Sequence, residues 1–332
     1  MKKLNIAVVG ATGLVGKMFL QVLEERDVPI NKVYAFASAK SSGTNIKFCK
    51  NDITVEELGA SSFDREIDIC LFAAGRDVSK EYVNIAAGKG ITVIDNSSAF
   101  RQSPDVPLIV PEVNPQDIKT HKGIIANPNC CAAPLSVALK PFKDKYGVRR
   151  VVVSTYQSVS GAGQAGISDL AEGISQHFPY PIKNNLIPHI DVFENDGYTG
   201  EETKIIAETR KILGVPKLPI TATAVRVPIV NCHSMSVNVE LKGEYKLRDV
   251  FGLVEASPGL KLVDDINTDM YPMPLYSSGL DLVQVGRLRR DRSRRNSLNM
   301  WIVADNIRKG AATNAVQILE ALYPLSGEQQ AR

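Results

Sequence analysis

Short apolar runs alternate with helical patterns through the first half of the chain. Candidate strands are LNIAVVG, KVYAFAS, IDICLFAAG, ITVIDNSS and LIVPEV. Several are apolar almost throughout, as expected of strands covered on both faces. Between the first two lies GLVGKMFLQVLEERD, where Leu14, Val15, Met18, Phe19, Val22 and Leu23 recur at helical spacing and form one stripe. Strand, helix and strand in quick succession make a βαβ unit and predict a parallel sheet. The second half reads differently. Its long β-rich runs are VRRVVVSTYQSV, TATAVRVPIVNCHSMSVNVELKG, LDLVQVGRLRR and RRNSLNMWIVAD, separated by helical patterns such as LRDVFGLVEAS. Met235, Val237, Val239 and Leu241 alternate with polar residues, which predicts a strand with one wet face in a mixed or antiparallel sheet. A last helix is predicted over KGAATNAVQILEALY.

Composition narrows the class without naming it. The 332 residues are 44% apolar and 23% charged with a net charge of +3, enough for about two domains and no strong pull on nucleic acid or membrane. GRLRRDRSRR at 286–295 is a basic cluster, but no stacking aromatics are interleaved, so it reads as a solvated hairpin tip. Five cysteines without a CxxC pair argue against a disulfide framework or a zinc ribbon, and no metal site is expected. A reducing cytoplasm fits them best. No apolar run is long enough to span a membrane.

VVGATGLVG sets Gly10, Gly13 and Gly16 between the first strand and the first helix. Glycines there let backbone amides approach a pyrophosphate at the positive end of a helix, a variant of the Rossmann fingerprint. The second strand ends in ASAKSSG instead of the acidic residue that takes a ribose 2′-hydroxyl. Ser38, Lys40, Ser41 and Ser42 suit a 2′-phosphate, which favours NADP.

GIIANPNCCAAPLSVALKP reads as a buried strand, a turn at Asn127-Pro128-Asn129 and then a helix. Pro134 belongs in a first helical turn, so the helix should begin around Cys130 or Cys131, with a cysteine at its positive end and loose amides to hold an oxyanion. On this segment alone, a nucleophile and a pair of small buried hydrophobes are both open. Among four histidines, His233 shares the face of Met235, Val237 and Val239 and is a candidate partner. Arg226 could edge the same cavity if one long strand bends at Pro228.

These segments, with DNSSAFR at 95–101, VPEVN at 110–114, YQSVSGAG at 156–163, GYTGEETK at 197–204, VRVPIVNCHS at 225–234 and NIRKGAATNAVQI at 306–318, resemble aspartate-semialdehyde dehydrogenases of the bacterial type over essentially the whole chain. The resemblance implies an α/β fold: a Rossmann NADP-binding domain over 1–129 with 311–332, and an α+β catalytic and dimerisation domain over 130–310 with a largely antiparallel or mixed sheet. It implies NADPH-dependent reductive dephosphorylation of L-aspartyl-4-phosphate through a cysteine thioester, in lysine, methionine, threonine and isoleucine biosynthesis.

It further implies Cys130 as nucleophile with Cys131 as packing, His233 as acid/base and Gln157 positioning substrate. Arg226 would hold the substrate carboxylate, Glu201 its amino group, and Arg101 and Lys204 the phosphate, with Asn129 nearby. Gly10, Thr12, Gly13, Leu14, Val15, Gly16, Ser38, Lys40, Ser41, Ser42, Ser160, Gly161 and Asn306 would bind NADP; at Lys40 many relatives have arginine, whose planar fork a lysine lacks. A cytoplasmic homodimer, or in some relatives a tetramer, is expected, with no nucleic-acid or membrane partner. The rivals are N-acetyl-γ-glutamyl-phosphate reductase and a non-catalytic NADP-binding protein on the same scaffold.

Overall fold

The computed structural model describes residues 3–324 and divides into two compact units, one reaching Pro128 and resuming at Ala311, the other running from Asn129 to Gly310. Residues 325–332, part of the expected first domain, lie outside the described residues.

The first unit holds strands β1 (Leu4–Val9), β2 (Ile30–Ala37), β3 (Asn45–Phe48), β4 (Asn51–Glu57), β5 (Ile69–Phe72), β6 (Thr92–Asp95) and β7 (Ile124–Ala126), with helices α1 (Leu14–Glu25) and α2 (Arg76–Gly88). They form one sheet in the order β3-β4-β2-β1-β5-β6-β7, parallel except for the β3/β4 pair. Alternation along β1 explains why the sheet is buried on both sides. Leu4, Ile6 and Val8 pack with Phe19, Val22 and Leu23 of α1, whereas Ala7 and Val9 join Phe36, Phe72 and Val83 on the other face. This is the doubly covered parallel sheet that the apolar runs predict.

LIVPEV does not form a strand. Only Leu108 bridges to Ala126, and the backbone then turns under Asn114. The Asn114 side chain accepts from the Val110 N–H at 2.9 Å and donates to the Leu108 carbonyl at 2.9 Å. One amide thus takes over the hydrogen bonds a neighbouring strand would have made.

The second unit contributes α3 (Ala132–Tyr146), β8 (Val148–Gln157), α4 (Gly163–Glu172), α5 (Gly200–Leu213), β9 (Ile220–Arg226), β10 (His233–Leu241), α6 (Leu247–Glu255), β11 (Leu260–Leu262), α7 (Pro274–Ser277), β12 (Val283–Arg290) and β13 (Ser297–Ala304). Its mixed sheet runs β11-β12-β13-β10-β8-β9. The long run from Thr221 to Gly243 is therefore two strands and not one bent strand. β9 lies parallel to β8 on one side and β10 antiparallel on the other. The link between them, through Pro228 and a left-handed Cys232 (φ 71°), carries the chain across the end of β8 and brings Arg226 and His233 to that same end. The arginine cluster lies on β12 and the turn into β13, and all six arginines are exposed.

The chain returns to the first unit through a π-turn, Arg308–Ala312, which precedes α8 (Thr313–Leu322). Val316 and Leu319 of α8 pack in the core that holds α1. Among the described residues, no helix is long and apolar enough to cross a membrane.

Candidate active site

In the first unit, the glycine turn leaves β1 at Gly10 (φ 81°), where a Cβ would stand 2.7 Å from the Ala73 carbonyl oxygen. At Gly16 a Cβ would meet the Gly10 oxygen at 2.1 Å. Both positions exclude every other residue, and Gly16 brings α1 hard against the turn. Gly13 is the N-cap of α1 and offers no side-chain cap, so the first amides of the helix, at Leu14, Val15 and Gly16, have no partner from that source. An anion fits there on both hydrogen bonding and the helix dipole. Thr12 Oγ1 reaches Ser41 Oγ at 3.4 Å, which ties the turn to the loop after β2. Ser38, Lys40 and Ser42 on that loop are exposed. Arg101, buried, donates to the carbonyls of Asn127 (2.9 Å) and Asn96 (2.7 Å).

The turn into α3 is built on the opposite plan. Cys131 is its N-cap and Ala132 its first helical residue. Asn129 Oδ1 accepts from the N–H of Cys131 (2.8 Å) and of Ala132 (3.2 Å), and its main-chain oxygen accepts from Ala133 (3.0 Å). Pro134 has no N–H to offer. The amides of Cys131, Ala132 and Ala133, expected to be loose for an oxyanion, are therefore already taken, and the turn presents a sulfur. Pro134 does fall in the first turn, yet Pro141 lies inside the same helix, so proline is not confined to the start of this one.

That sulfur is Cys130 Sγ, half-buried and 3.2 Å from His233 Nε2. The ring's other nitrogen, Nδ1, accepts from the Ser158 N–H at 3.1 Å. A backbone donor at Nδ1 leaves the neutral ring's proton on Nε2, directed at the sulfur. A hydrogen bond from the Cys131 thiol and one from His233 hold Cys130 well below the ordinary thiol range, against the opposing effect of burial. Burial pushes the fully enclosed Cys131 thiol well up. The two sulfurs and the ring nitrogen lie within 4.8 Å of one another, a soft donor set, but Nε2 carries the proton that a metal would need removed.

Helix α5 supplies the other wall. Its capping box, between Thr199 and Glu202, starts the helix so that Glu201, Lys204 and Glu208 share a face. Glu201 Oε1 accepts from Asn129 Nδ2 (2.9 Å) and Gln157 Nε2 (3.2 Å). Lys204 Nζ lies between Glu201 Oε2 (3.0 Å) and Asp191 Oδ2 (2.8 Å). Burial would raise Glu201, but the Lys204 charge and these hydrogen bonds outweigh it and leave the carboxyl below its usual range. For Lys204 burial works the other way and is likewise outweighed, so the ammonium is held on.

Arg226 ends β9, buried, with Nη1 donating to the Ser158 carbonyl at 2.7 Å and its guanidinium over the Phe178 ring. Its Nε is buried without a hydrogen-bond partner. A Cβ on Gly161 would stand 3.0 Å from Arg226 Nη1 and 3.4 Å from His233 Nε2, so this glycine keeps the space beside both open.

The structure thus brings Cys130, His233, Gln157, Glu201, Lys204, Arg226, Asn129 and Gly161 together within the second unit. Ser160 and Asn306 lie behind His233. Asn306 Oδ1 accepts from the Cys232 N–H (2.9 Å) and Ser158 Oγ (3.1 Å), and its Nδ2 donates to Ser160 Oγ (3.0 Å).

Two residues escaped the sequence reading. Glu208, fully buried, accepts from the Asn129 N–H at 2.6 Å and so grips the residue before the nucleophile. Its spacing of seven from Glu201 was the available signal. Asp191 steadies Lys204 from a loop position with no periodic signature.

A thiol of lowered pKa paired with an imidazole, beside a buried guanidinium and a buried carboxylate, can serve acyl transfer. Residues 5–121 match the NAD binding domain of semialdehyde dehydrogenases, and residues 139–309 match their dimerisation domain. The chain is 49% identical to the aspartate-semialdehyde dehydrogenase of Aquifex aeolicus, over 96% of this chain and 97% of that one. It is 42% identical to that of Bacillus subtilis, over 97% and 98%. The fold matches the crystal structure of Vibrio cholerae aspartate semialdehyde dehydrogenase II complexed with ASA, with a TM-score of 0.93 and 41% identity over 97% of this chain and 99% of that one. It also matches the Candida albicans enzyme with NADP, with a TM-score of 0.76 and 25% identity over 97% and 99%. The chain belongs to the aspartate-semialdehyde dehydrogenase family.

Proposed function

We infer that this chain reduces L-aspartyl-4-phosphate to L-aspartate 4-semialdehyde with release of phosphate, using NADPH, in the synthesis of lysine, methionine, threonine and isoleucine. The observation that carries the reading is the Cys130–His233 pair at 3.2 Å, next to Glu201 and Arg226, in a chain with near-full-length relatives of that name.

The glycine turn fits the cofactor's pyrophosphate, since no side chain caps the first amides of α1. Gly10, Thr12, Gly13, Leu14, Val15 and Gly16 would hold that part, and Ser38, Lys40, Ser41 and Ser42 the 2′-phosphate. Ser160, Gly161 and Asn306 are assigned to the cofactor as well. When bound, NADPH supplies the hydride that takes the acyl carbon to the aldehyde level.

The residues of the chain do the rest. Arg226 pairs with the substrate α-carboxylate through its guanidinium, beside the space that Gly161 leaves open. Glu201 receives the α-ammonium, which an N-acetylated substrate lacks; this argues against the acetylglutamyl-phosphate reaction. Gln157 and Asn129 keep the Glu201 carboxylate in place. The Cys130 thiolate attacks the β-acyl carbon; the carbon–oxygen bond to phosphate breaks and phosphate leaves with the electron pair, its charge met by Arg101 and Lys204. The product of this step is a thioester. His233 Nε2–H donates to the oxygen as negative charge develops there, and the same nitrogen takes that proton back when the carbon–sulfur bond breaks and Cys130 departs as thiolate. Such a group contributes about 10²–10⁴-fold.

The matched dimerisation domain supports a homodimer built through the second unit's sheet. A cytoplasmic location accords with the five free cysteines. The test is phosphate-dependent oxidation of aspartate semialdehyde, run separately with NADP and NAD. Rapid turnover with NADP is expected. Absence of turnover with either cofactor, or turnover indifferent to phosphate, contradicts the reading.

A further inference from the structure

Cys131 has no place in the reaction just described, yet it adjoins the reactive sulfur both in sequence and in space. The two Sγ atoms and His233 Nε2 lie within 4.8 Å of one another. Cys130 is half-buried and reachable from solvent, whereas Cys131 is fully enclosed. The remaining thiols differ. Cys70 and Cys232 are buried, and Cys49 is exposed on a turn beside Glu24 and Asp27, where burial and those charges raise its pKa. The one solvent-reachable, thiolate-like sulfur therefore has a second thiol beside it that solvent cannot reach.

We propose that Cys130 and Cys131 form a reversible modification site, in which a hydroperoxide oxidises the nucleophile and Cys131 closes it into a vicinal disulfide. The Cys130 thiolate attacks the peroxide's terminal oxygen and the O–O bond breaks. The attacked oxygen passes to sulfur with its hydrogen, so sulfur is oxidised to the sulfenic acid, and the other oxygen leaves with the electron pair as hydroxide or alkoxide. The protonated sulfenic acid is then attacked by Cys131 sulfur. The S–S bond forms, the S–O bond breaks, and one water leaves with the Cys131 proton. No further oxidant is needed. Two electrons from a dithiol reverse the product.

The geometry sets the character of this bond. Neighbouring Cα atoms stand ~3.8 Å apart, just under the window of unstrained disulfides. The eight-membered ring is thus strained, and strained disulfides are readily reduced. Closure also turns Cys130 away from His233 and draws Cys131 out of the N-cap geometry of α3, so the oxidised enzyme is off. The benefit is chemical: a nucleophile left as sulfenic acid goes on to the irreversible sulfinic state. This inference rests on Cys130 being the reactive thiolate.

The full-length protein is treated with a several-fold molar excess of hydrogen peroxide, quenched with catalase, digested and weighed, with activity followed before and after dithiothreitol. The peptide carrying residues 130 and 131 should be lighter by two hydrogens, and activity should be lost and then fully regained. In Cys131→Ser the same treatment should add two oxygens to Cys130, with a loss that dithiothreitol does not reverse; Cys131→Ala serves where serine disturbs folding. A wild-type peptide that gains oxygen instead, or a Cys131 variant that recovers as completely as wild type, overturns the proposal. The mass readout needs no turnover, so an enzyme inert toward aspartyl phosphate yet able to close the bond would refute the proposed reaction alone.

Discussion

Two strand-to-helix turns in this chain solve opposite problems. After β1, three glycines strip the turn of side chains, and α1 starts with no side chain over its first amides. After β7, Asn129 folds its own oxygen over the first amides of α3, Pro134 lacks one, and what projects is a thiol. The first turn is a site because backbone is left open. The second is a site because backbone is closed, so that the charge of interest sits on sulfur. A helix N-terminus is thus not one device but two, and the side chain that lies over the first amides decides which.

The comparison can be broken by substitution. The largest effect is expected at His233→Asn, which removes the proton aimed at sulfur; kcat should fall by about 10²–10⁴ with little change in NADP binding. A variant within threefold of wild type would remove His233 from the chemistry. Next is Gly16→Ala in the open turn, where the added carbon would sit 2.1 Å from the Gly10 oxygen. Cofactor KM should rise at least tenfold, about 1.4 kcal/mol, while alkylation of Cys130 stays as in wild type. If alkylation slows instead, the two turns are not separate devices. Asn129→Ala in the closed turn should cost about 1 kcal/mol of stability through the lost cap, read from the denaturation midpoint. It should also slow turnover, because the hold on Glu201 goes with it.

A pH profile sharpens the same contrast. Because Cys130 is held low, it stays thiolate as pH falls through the ordinary thiol range, and alkylation should slow only at lower pH. Cys131→Ala removes the hydrogen bond that does most to lower it, so the midpoint should move up. An unmoved midpoint would assign the effect to His233 alone. The smallest effect is expected at Lys40→Ala, a loss of a few-fold in NADP-over-NAD preference, since an exposed cation is screened by solvent. An unchanged ratio would place the 2′-phosphate elsewhere.

Much of this was legible in the chain because period and punctuation agree. β1, α1 and β2 are read from apolar runs broken by Gly10 and Gly16, and β7 with its turn from Gly123, Pro128 and Pro134. β3 and β4 were missed because NIKF, at the sheet edge, is short and NDITVEE, next to it, is mostly polar. LIVPEV misled because one asparagine amide can stand in for a neighbouring strand. The run from Thr221 to Gly243 hid a crossing, since continuity of β-type residues does not say on which side of β8 they pair.

At the site, the residues alone made the cysteine pair and His233 candidates, and the family resemblance gave them roles. Glu208 did not, because a glutamate in an amphipathic helix looks like surface until its carboxylate is found on the Asn129 N–H. The fate of the α3 amides was equally hidden, because it depends on a rotamer.

The most direct measurement is to mix the protein with aspartate semialdehyde and NADP without phosphate, quench in acid and locate the adduct by peptide mass. An aspartyl thioester on Cys130 is the predicted result. The adduct on Cys131, or none on either sulfur while NADPH is formed, would contradict the account.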